Sequence, residues 1–339
     1  MLNLRIPFAG LKSEKYMDCQ IVAPVCSLEE IDSVMQAGAD EVYFGVMTEK
    51  WVEQYGNADF ITRRQGENAH FTSFDDLSEI ADRADRYRCR ATLALNARYT
   101  ERQLPYIHEI LAQWEERGGR SVMVSDLELL LWLKDKNSKL KRHLSVMAGV
   151  FNSRSVDFFK SLDVASVVLP REMSVAEMEQ LLKNANKEIE YEAIVMFQKC
   201  QFIDSFCGFF HAFNYRPHLV HGYTGTRSSL LVINNYTPCH DGHGCRLRYV
   251  FNGKMIRHAA NNDYTTPYCA ACMLSTLSKA GVHHFKIAGR GYPLELVVKS
   301  IRFIRQIIDM ETPSTTQCSE RYKSAFGSAC SAKNCYYPW

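Results

Sequence analysis

The chain has 339 residues, 46% of them hydrophobic and 23% charged, enough for one large core or two ordinary ones. Its 40 Lys and Arg nearly balance 38 Asp and Glu, and the net charge of +2 gives no electrostatic case for nucleic-acid binding beyond a local basic patch. No apolar run of about 18 residues marks a membrane span, and the N-terminus lacks the apolar core of a secretory signal; a cytoplasmic protein is expected.

Strand-then-helix units follow one another along the first two hundred residues. IVAPVC (Ile21 to Cys26) reads as a strand, and SLEEIDSVMQAG as a helix with Ser27 as N-cap, Glu30 completing a capping box and Gly38 ending it. DEVYFGV (Asp40 to Val46) is the second strand. Thr48 to Ser73 carries no period and reads as a loop or lid. Helix resumes near Phe74 to Tyr87. ATLALNA (Ala91 to Ala97), SVMVSD (Ser121 to Asp126), HLSVMAG (His143 to Gly149), ASVVLP (Ala165 to Pro170) and IEYEAIVMF (Ile189 to Phe197) are further strands. Helices are expected near Arg102 to Arg117, Leu127 to Lys134, Ser153 to Ser161 and Ser174 to Asn184. FKIAG (Phe285 to Gly289) is an eighth strand, followed by a helix from Pro293 to about Asp309.

Apolar strands alternating with amphipathic helices imply a parallel sheet with helices outside. Eight units imply the α/β class and a closed (β/α)8 TIM-like barrel, with an open doubly wound sheet as the alternative. A Cys/His-rich insertion precedes the last strand. The expected organisation is an N-terminal arm, 1–17, a barrel, 18–310, that includes the insertion, 198–275, and a C-terminal tail, 311–339. The tail reads as an extended arm, docked through Tyr336, Tyr337 and Trp339.

Six of the 12 cysteines and six of the 11 histidines lie between Cys200 and Cys272. The cysteines stand as Cys200-x6-Cys207, Cys239-x5-Cys245 and Cys269-x2-Cys272. In a reducing compartment such a gathering argues for metal ligation over disulfides. Four thiolates suit an iron–sulfur cluster, and mixed Cys and His suit zinc. His211, His218, His221, His240, His243 and His258 keep zinc open, with His240 and His243 as the best alternative ligands or acid–base groups. Cys19, Cys26 and Cys89, in or beside strands, read as small packed hydrophobes.

Four segments then resemble the collagenase-like peptidase family of unassigned catalytic type: IVAPVCSLEEIDSVMQAGADEVYFG, FNSRSVDFFKSLDVASVVLPREMSVAEM, CQFIDSFC and CAACMLSTLSKAGVHHFKIAGRG. The resemblance covers about residues 18 to 309. It implies a (β/α)8-type barrel and, for several members, a [4Fe-4S] cluster on four cysteines. It implies oxygen-independent hydroxylation in ubiquinone biosynthesis or of a tRNA or ribosomal RNA base, with prephenate as oxygen donor. Other members carry the name of collagenase-like protease. By position the implied ligands are Cys200, Cys207, Cys239 and Cys269, the last standing twelve residues before Gly281. The gap between Cys207 and Cys239 is longer than the family's, which leaves Cys245 as alternate for Cys239. Cys272 is the alternate for Cys269.

Arg171 and Glu172 follow a strand and would point into the barrel mouth; the family also carries this pair, and a salt bridge to a neighbouring loop is the other reading. Asn96 ends one strand and Glu41 begins another. Gly289-Arg290-Gly291 lies between the last strand and a helix, where barrels often hold phosphate. Arg290 could clamp a carboxylate or phosphate bidentately, and Lys286 would face the same site. Arg171, Glu172 and Arg290 are therefore the candidate catalytic groups for an acidic substrate or co-substrate. A peptidase is the rival activity, although neither His-Glu-x-x-His nor Gly-x-Ser-x-Gly occurs. A non-catalytic, cluster-bearing partner of a paralogous barrel subunit is a third reading. RNA as acceptor is less favoured than a small molecule, on the near-neutral charge and the absence of a recognisable RNA-binding module.

Overall fold

The computed structural model describes residues 17, 19–55, 61–64, 69–197, 199–200, 203–207, 249–251, 254–256, 267–310 and 312–337. The strands are β1 (Gln20–Pro24), β2 (Glu41–Phe44), β3 (Arg90–Leu95), β4 (Ser121–Val124), β5 (Lys141–Leu144), β6 (Val164–Val168) and β7 (Glu190–Phe197), then β8 (Tyr249–Phe251), β9 (Lys254–Ile256), β10 (Tyr268–Cys269) and β11 (His284–Ile287). The helices are α1 (Leu28–Gln36), α2 (Glu49–Tyr55), α3 (Asp75–Tyr87), α4 (Leu104–Glu116), α5 (Leu127–Asp135), α6 (Ser153–Lys160), α7 (Val175–Asn184), α8 (Leu274–Ala280), α9 (Leu294–Ile308) and α10 (Thr315–Phe326).

Strands β1 to β7 pair in sequence order, all parallel. β7 then pairs with β11, and β11 with β1, which closes an eight-stranded parallel barrel. The closed alternative expected from eight repeated units is thus the observed one. β10 adds to β7 antiparallel, outside the ring. β8 and β9 form a separate antiparallel hairpin.

The outward side chains of the strands are apolar and packed beneath the helices. Ile21, Phe44, Leu93, Val122, Leu144, Val195 and Phe285 belong to one core with Ile31, Ile80, Ile107 and Ile304 of the helices. Trp114 of α4 is buried there, and its indole N–H donates to the Ser121 carbonyl at 2.9 Å, so the ring brings no unsatisfied donor inside. The helix starts follow their sequences. Ser27 accepts from the Glu30 N–H at 3.4 Å, while Ser174 and Glu177 form a reciprocal capping box.

Three expectations shift. β5 begins at Lys141 rather than His143, and its expected second half is a 3-10 turn, Val146–Ala148, capped by Ser145 and closed by Gly149 in the left-handed region (φ 69). Arg142 hid the strand start. It is buried on the outer face, where its guanidinium donates to the Leu133 and Leu162 carbonyls, both at 3.0 Å. The expected loop Thr48 to Ser73 contains α2, anchored by fully buried Trp51. The tail is not an extended arm. It carries α10, held by a capping box of Ser314 and Gln317. Its docking residues Tyr336 and Tyr337 are buried as expected, while Trp339 lies outside the described residues, as does the arm 1–16.

Candidate active site at the barrel mouth

The barrel lumen is polar, and its charges lie in tiers. At the N-terminal ends of the strands Glu41 accepts twice from Arg90, at 2.6 and 2.8 Å. Arg90 also donates to Glu190 at 2.7 Å, and His284 bridges Glu41 at 3.0 Å and Glu190 at 3.4 Å. Burial works against charge on His284, but its bonds to Glu190 and Glu41 outweigh that and lift its pKa to about 9. Burial likewise works to raise Glu41, yet His284 and Arg90 pull it down to about 2. Residues at this end of a barrel serve stability.

One tier higher, Lys286 of β11 reaches Glu192 of β7 at 2.8 Å, with its ammonium 4.0 Å above the Tyr43 ring centroid. Burial holds the Lys286 pKa below its ordinary value, and the Glu192 charge opposes that shift. His143 faces the same space; burial, aided by the Arg90 charge, drops its pKa to about 3, and its Nε2 has no partner among the described residues.

Arg290 sits at the C-terminal mouth. It follows β11 directly and is only 4% exposed. Its Nη2 donates to Thr62 Oγ1 at 2.9 Å, and Thr62 in turn meets His70 Nε2 at 2.9 Å. Arg64 donates to the Arg290 carbonyl at 2.8 Å, and Cys26 Sγ accepts the Gly291 N–H at 3.1 Å. The Arg290 guanidinium lies 6.0 Å from the Tyr43 ring, whose other neighbour is Lys286. Among the described residues no carboxylate pairs with Arg290, and its Nη1 is buried without a partner. Gly45 makes room for this arrangement, since a Cβ there would collide with Arg290 Nη1 and with His70. Among the described residues Arg290 thus brings one unpaired N–H to the mouth, one level above the Lys286–Glu192 pair.

Arg171 and Glu172 are engaged differently. Arg171 grips Asp204 through two bonds of 2.6 Å, and Glu172 accepts the Asp204 N–H at 3.0 Å. Asp204 lies in the 3-10 turn, Asp204–Phe206, between Cys200 and Cys207. The pair thus braces the cysteine loop in the salt-bridge arrangement that was the second sequence reading. Glu172 Oε2 remains buried and unpartnered; burial, then the Asp204 charge, raises its pKa. Asn96 accepts the Arg63 N–H at 3.0 Å, and Arg63 donates to the Cys207 carbonyl at 3.1 Å. The cysteine loop is thereby fixed to the mouth from two sides.

Cys200, Cys207, Cys269 and Cys272 are all present as free thiols. Cys239, Cys245 and the six insertion histidines lie outside the described residues. Among the described residues no three His, Cys, Asp or Glu side chains already stand together at metal-binding spacing. The donor type still suits a cluster, because Cys200 and Cys207, on a loop braced at the mouth, are soft thiol ligands of the kind an iron–sulfur cluster takes. Cys26 departs from the packing reading, since it borders the Arg290 turn. Burial, aided by the Glu30 charge, pushes its thiol up to about 11. Cys19 fits that reading, buried and donating to the Val282 carbonyl at 3.2 Å.

Tyr43, Glu192, Thr62 and His70 were not singled out by sequence. One signal was available: Glu41-x-Tyr43, Glu190-x-Glu192 and His284-x-Lys286 place polar groups at every second position of strands that a two-sided apolar burial would keep hydrophobic. Thr62 and His70 gave none, because they lie in the aperiodic stretch.

Fold and site together define a (β/α)8-barrel protein whose mouth carries a buried arginine and a braced loop of free thiols. The chain belongs to peptidase family U32, whose pattern matches residues 26–337. It is 24% identical over 162 residues to the protein named collagenase of Porphyromonas gingivalis, covering 48% of this chain and 35% of that one. It is 23% identical over 291 residues to tRNA hydroxylation protein P2 of Bacillus subtilis, covering 86% and 85%. It is 22% identical over 286 residues to the 23S rRNA 5-hydroxycytidine C2501 synthase of Escherichia coli, covering 80% and 36%. The chain thus spans about a third of the length of the first and last of these relatives. No helix among the described residues is long and apolar enough to cross a membrane.

Proposed function

We propose that this chain is a cluster-bearing barrel enzyme that supports oxygen-independent hydroxylation, or a related modification, of an acceptor. A [4Fe-4S] cluster is held by Cys200, Cys207, Cys239 or Cys245, and Cys269 or Cys272; zinc is the alternative occupant. When bound, the cluster supplies one-electron chemistry at the mouth. The chain's own residues bind and orient an acidic small molecule such as prephenate. Arg290 offers its unpaired Nη1 to a carboxylate, and Tyr43 and the Lys286–Glu192 pair form the floor beneath it. Arg171 and Glu172 act as positioning residues for the Cys200–Cys207 loop. Arg290 Nη1, buried without a partner among the described residues, is the observation that carries this reading.

The acceptor is an RNA base or a small molecule. The names of two relatives support an RNA base, and the near-neutral charge of the chain supports a small molecule. A paralogous barrel subunit is a further proposed partner, and a cytoplasmic setting keeps the thiols reduced. The test compares tRNA, rRNA and small-molecule extracts by mass spectrometry from cells with and without the chain. One hydroxylated species should vanish without it, and Arg290→Met should reduce that species about 10²-fold, the usual loss for one preorganised donor. An unchanged level with Arg290→Met would contradict the site.

The collagenase relative supports a second reading as a peptidase. Gelatin incubated with pure protein, with and without a chelator, decides between them: chelator-sensitive cleavage would favour the peptidase.

A further inference from the structure

The insertion leaves the barrel after β7 and returns through β10, and the tail reaches both of its ends. At the returning end β10 pairs antiparallel with β7, Cys269 opposite Met196. The tail adds to β10 as a further short strand. Tyr336 N–H donates to the Cys269 carbonyl at 2.9 Å, and Cys335 and Cys269 form a parallel bridge. Side chains secure this contact. The Tyr322 hydroxyl donates to the Pro267 carbonyl at 2.6 Å and accepts from Asn334 Nδ2 at 2.9 Å. The Tyr337 hydroxyl donates to the Ile194 carbonyl of β7 at 2.9 Å. Tyr322 and Tyr336 are fully buried, so these bonds lie where water cannot replace them.

At the departing end the Cys200–Cys207 loop is clamped through its turn, Asp204–Phe206. Arg171 holds the Asp204 carboxylate, Glu172 holds the Asp204 N–H, and Arg63 holds the Cys207 carbonyl. The turn also presses on the end of β5, because a Cβ on Gly149 would stand 2.7 Å from Ser205 Oγ. The Tyr336 side chain lies against the same Arg171 guanidinium and accepts a hydrogen bond from it. Arg171 has five N–H donors in a planar fork, so gripping a carboxylate leaves donors for a hydroxyl.

We propose that Tyr336 is a positioning residue of the cysteine site. Its backbone N–H sets Cys269, and its hydroxyl sets the Cys200–Cys207 loop through Arg171 and Asp204. The docked tail thereby fixes the thiols at the two ends of the insertion relative to each other. Ligands ordered by the fold spare a bound group the cost of ordering them. That consequence rests on the cluster proposed above; the positioning itself is a property of the chain and is tested without metal.

The experiment uses Tyr336→Phe in the full chain, which keeps the ring and the backbone N–H and removes only the hydroxyl. The protein is stripped of metal with a chelator and pulsed with iodoacetamide, and alkylation of each cysteine is followed by mass spectrometry. Rates at Cys200 and Cys207 should rise about two- to tenfold, the effect of losing one hydrogen bond. Cys89, just before β3 at the opposite end of the barrel, should keep its rate. In an Arg171→Met chain, Tyr336→Phe should add little, because the hydroxyl acts through Arg171. If Arg171→Met fails to fold, Asp204→Asn takes its place with the same expectation. A role in general stability alone would raise Cys89 as much as Cys200 and would persist in the Arg171→Met chain. Unchanged rates at Cys200 and Cys207, an equal rise at Cys89, or the full rise in the Arg171→Met or Asp204→Asn chain would each overturn the proposal. The rates decide it whether or not the purified chain carries iron, so its failure is distinct from failure of the cluster.

Discussion

Arg290 and Lys286 are both buried cations, but they have different duties. Lys286 has a carboxylate partner, and removing one member of a buried pair exposes the cost of burying the other. Lys286→Met should therefore lower unfolding stability by about 3–5 kcal/mol in urea titrations, and adding Glu192→Met should restore most of it. Arg290, without such a partner among the described residues, should be replaceable at much smaller cost in stability than in activity. His284 makes the barrel floor pH-sensitive. Its folded pKa of about 9 exceeds the ordinary value of 6.5. Its contribution is thus fully present below about pH 6.5 and lost as pH rises through about 9. Denaturation midpoints should fall across that window, and His284→Gln should flatten the fall; an equal slope in the variant would show that other groups set it.

Among the elements, α10 is one that the sequence hid. Ser, Thr and Cys in the tail argued against a helix, yet Ser314 and Gln317 cap its first turn and Tyr322 packs edge-on against Phe303 of α9 at 5.9 Å. Ser314→Ala should cost about 1 kcal/mol of global stability because the helix folds with the barrel. A variant with an unchanged denaturation midpoint would mean that the tail unfolds independently. The barrel strands were legible because their outer faces carry apolar residues next to capped helices. The start of β5 was not, because buried Arg142 places its Nη atoms on carbonyls and on Asp163 at 2.9 Å, which no sequence period reveals.

At the scale of the molecule, eight strand-helix units dictated closure, and closure put every strand's C-terminal end on one rim. That made Arg290, Arg171 and Glu172 legible as mouth residues from their positions just after strands. Their roles were not legible, because Asp204 and Thr62 come from irregular segments whose approach only the fold creates. The cysteines divide the same way: their density was plain in the sequence, but the pairing of Cys335 with Cys269 required the tail to fold back. The proposed function requires an iron–sulfur centre at the Cys200–Cys207 loop. Iron and acid-labile sulfide in the anaerobically purified chain test it most directly. We predict brown protein with about four iron and four sulfide, both lost in Cys200→Ser/Cys207→Ser. Colourless protein without iron, or iron undiminished in that variant, would contradict it.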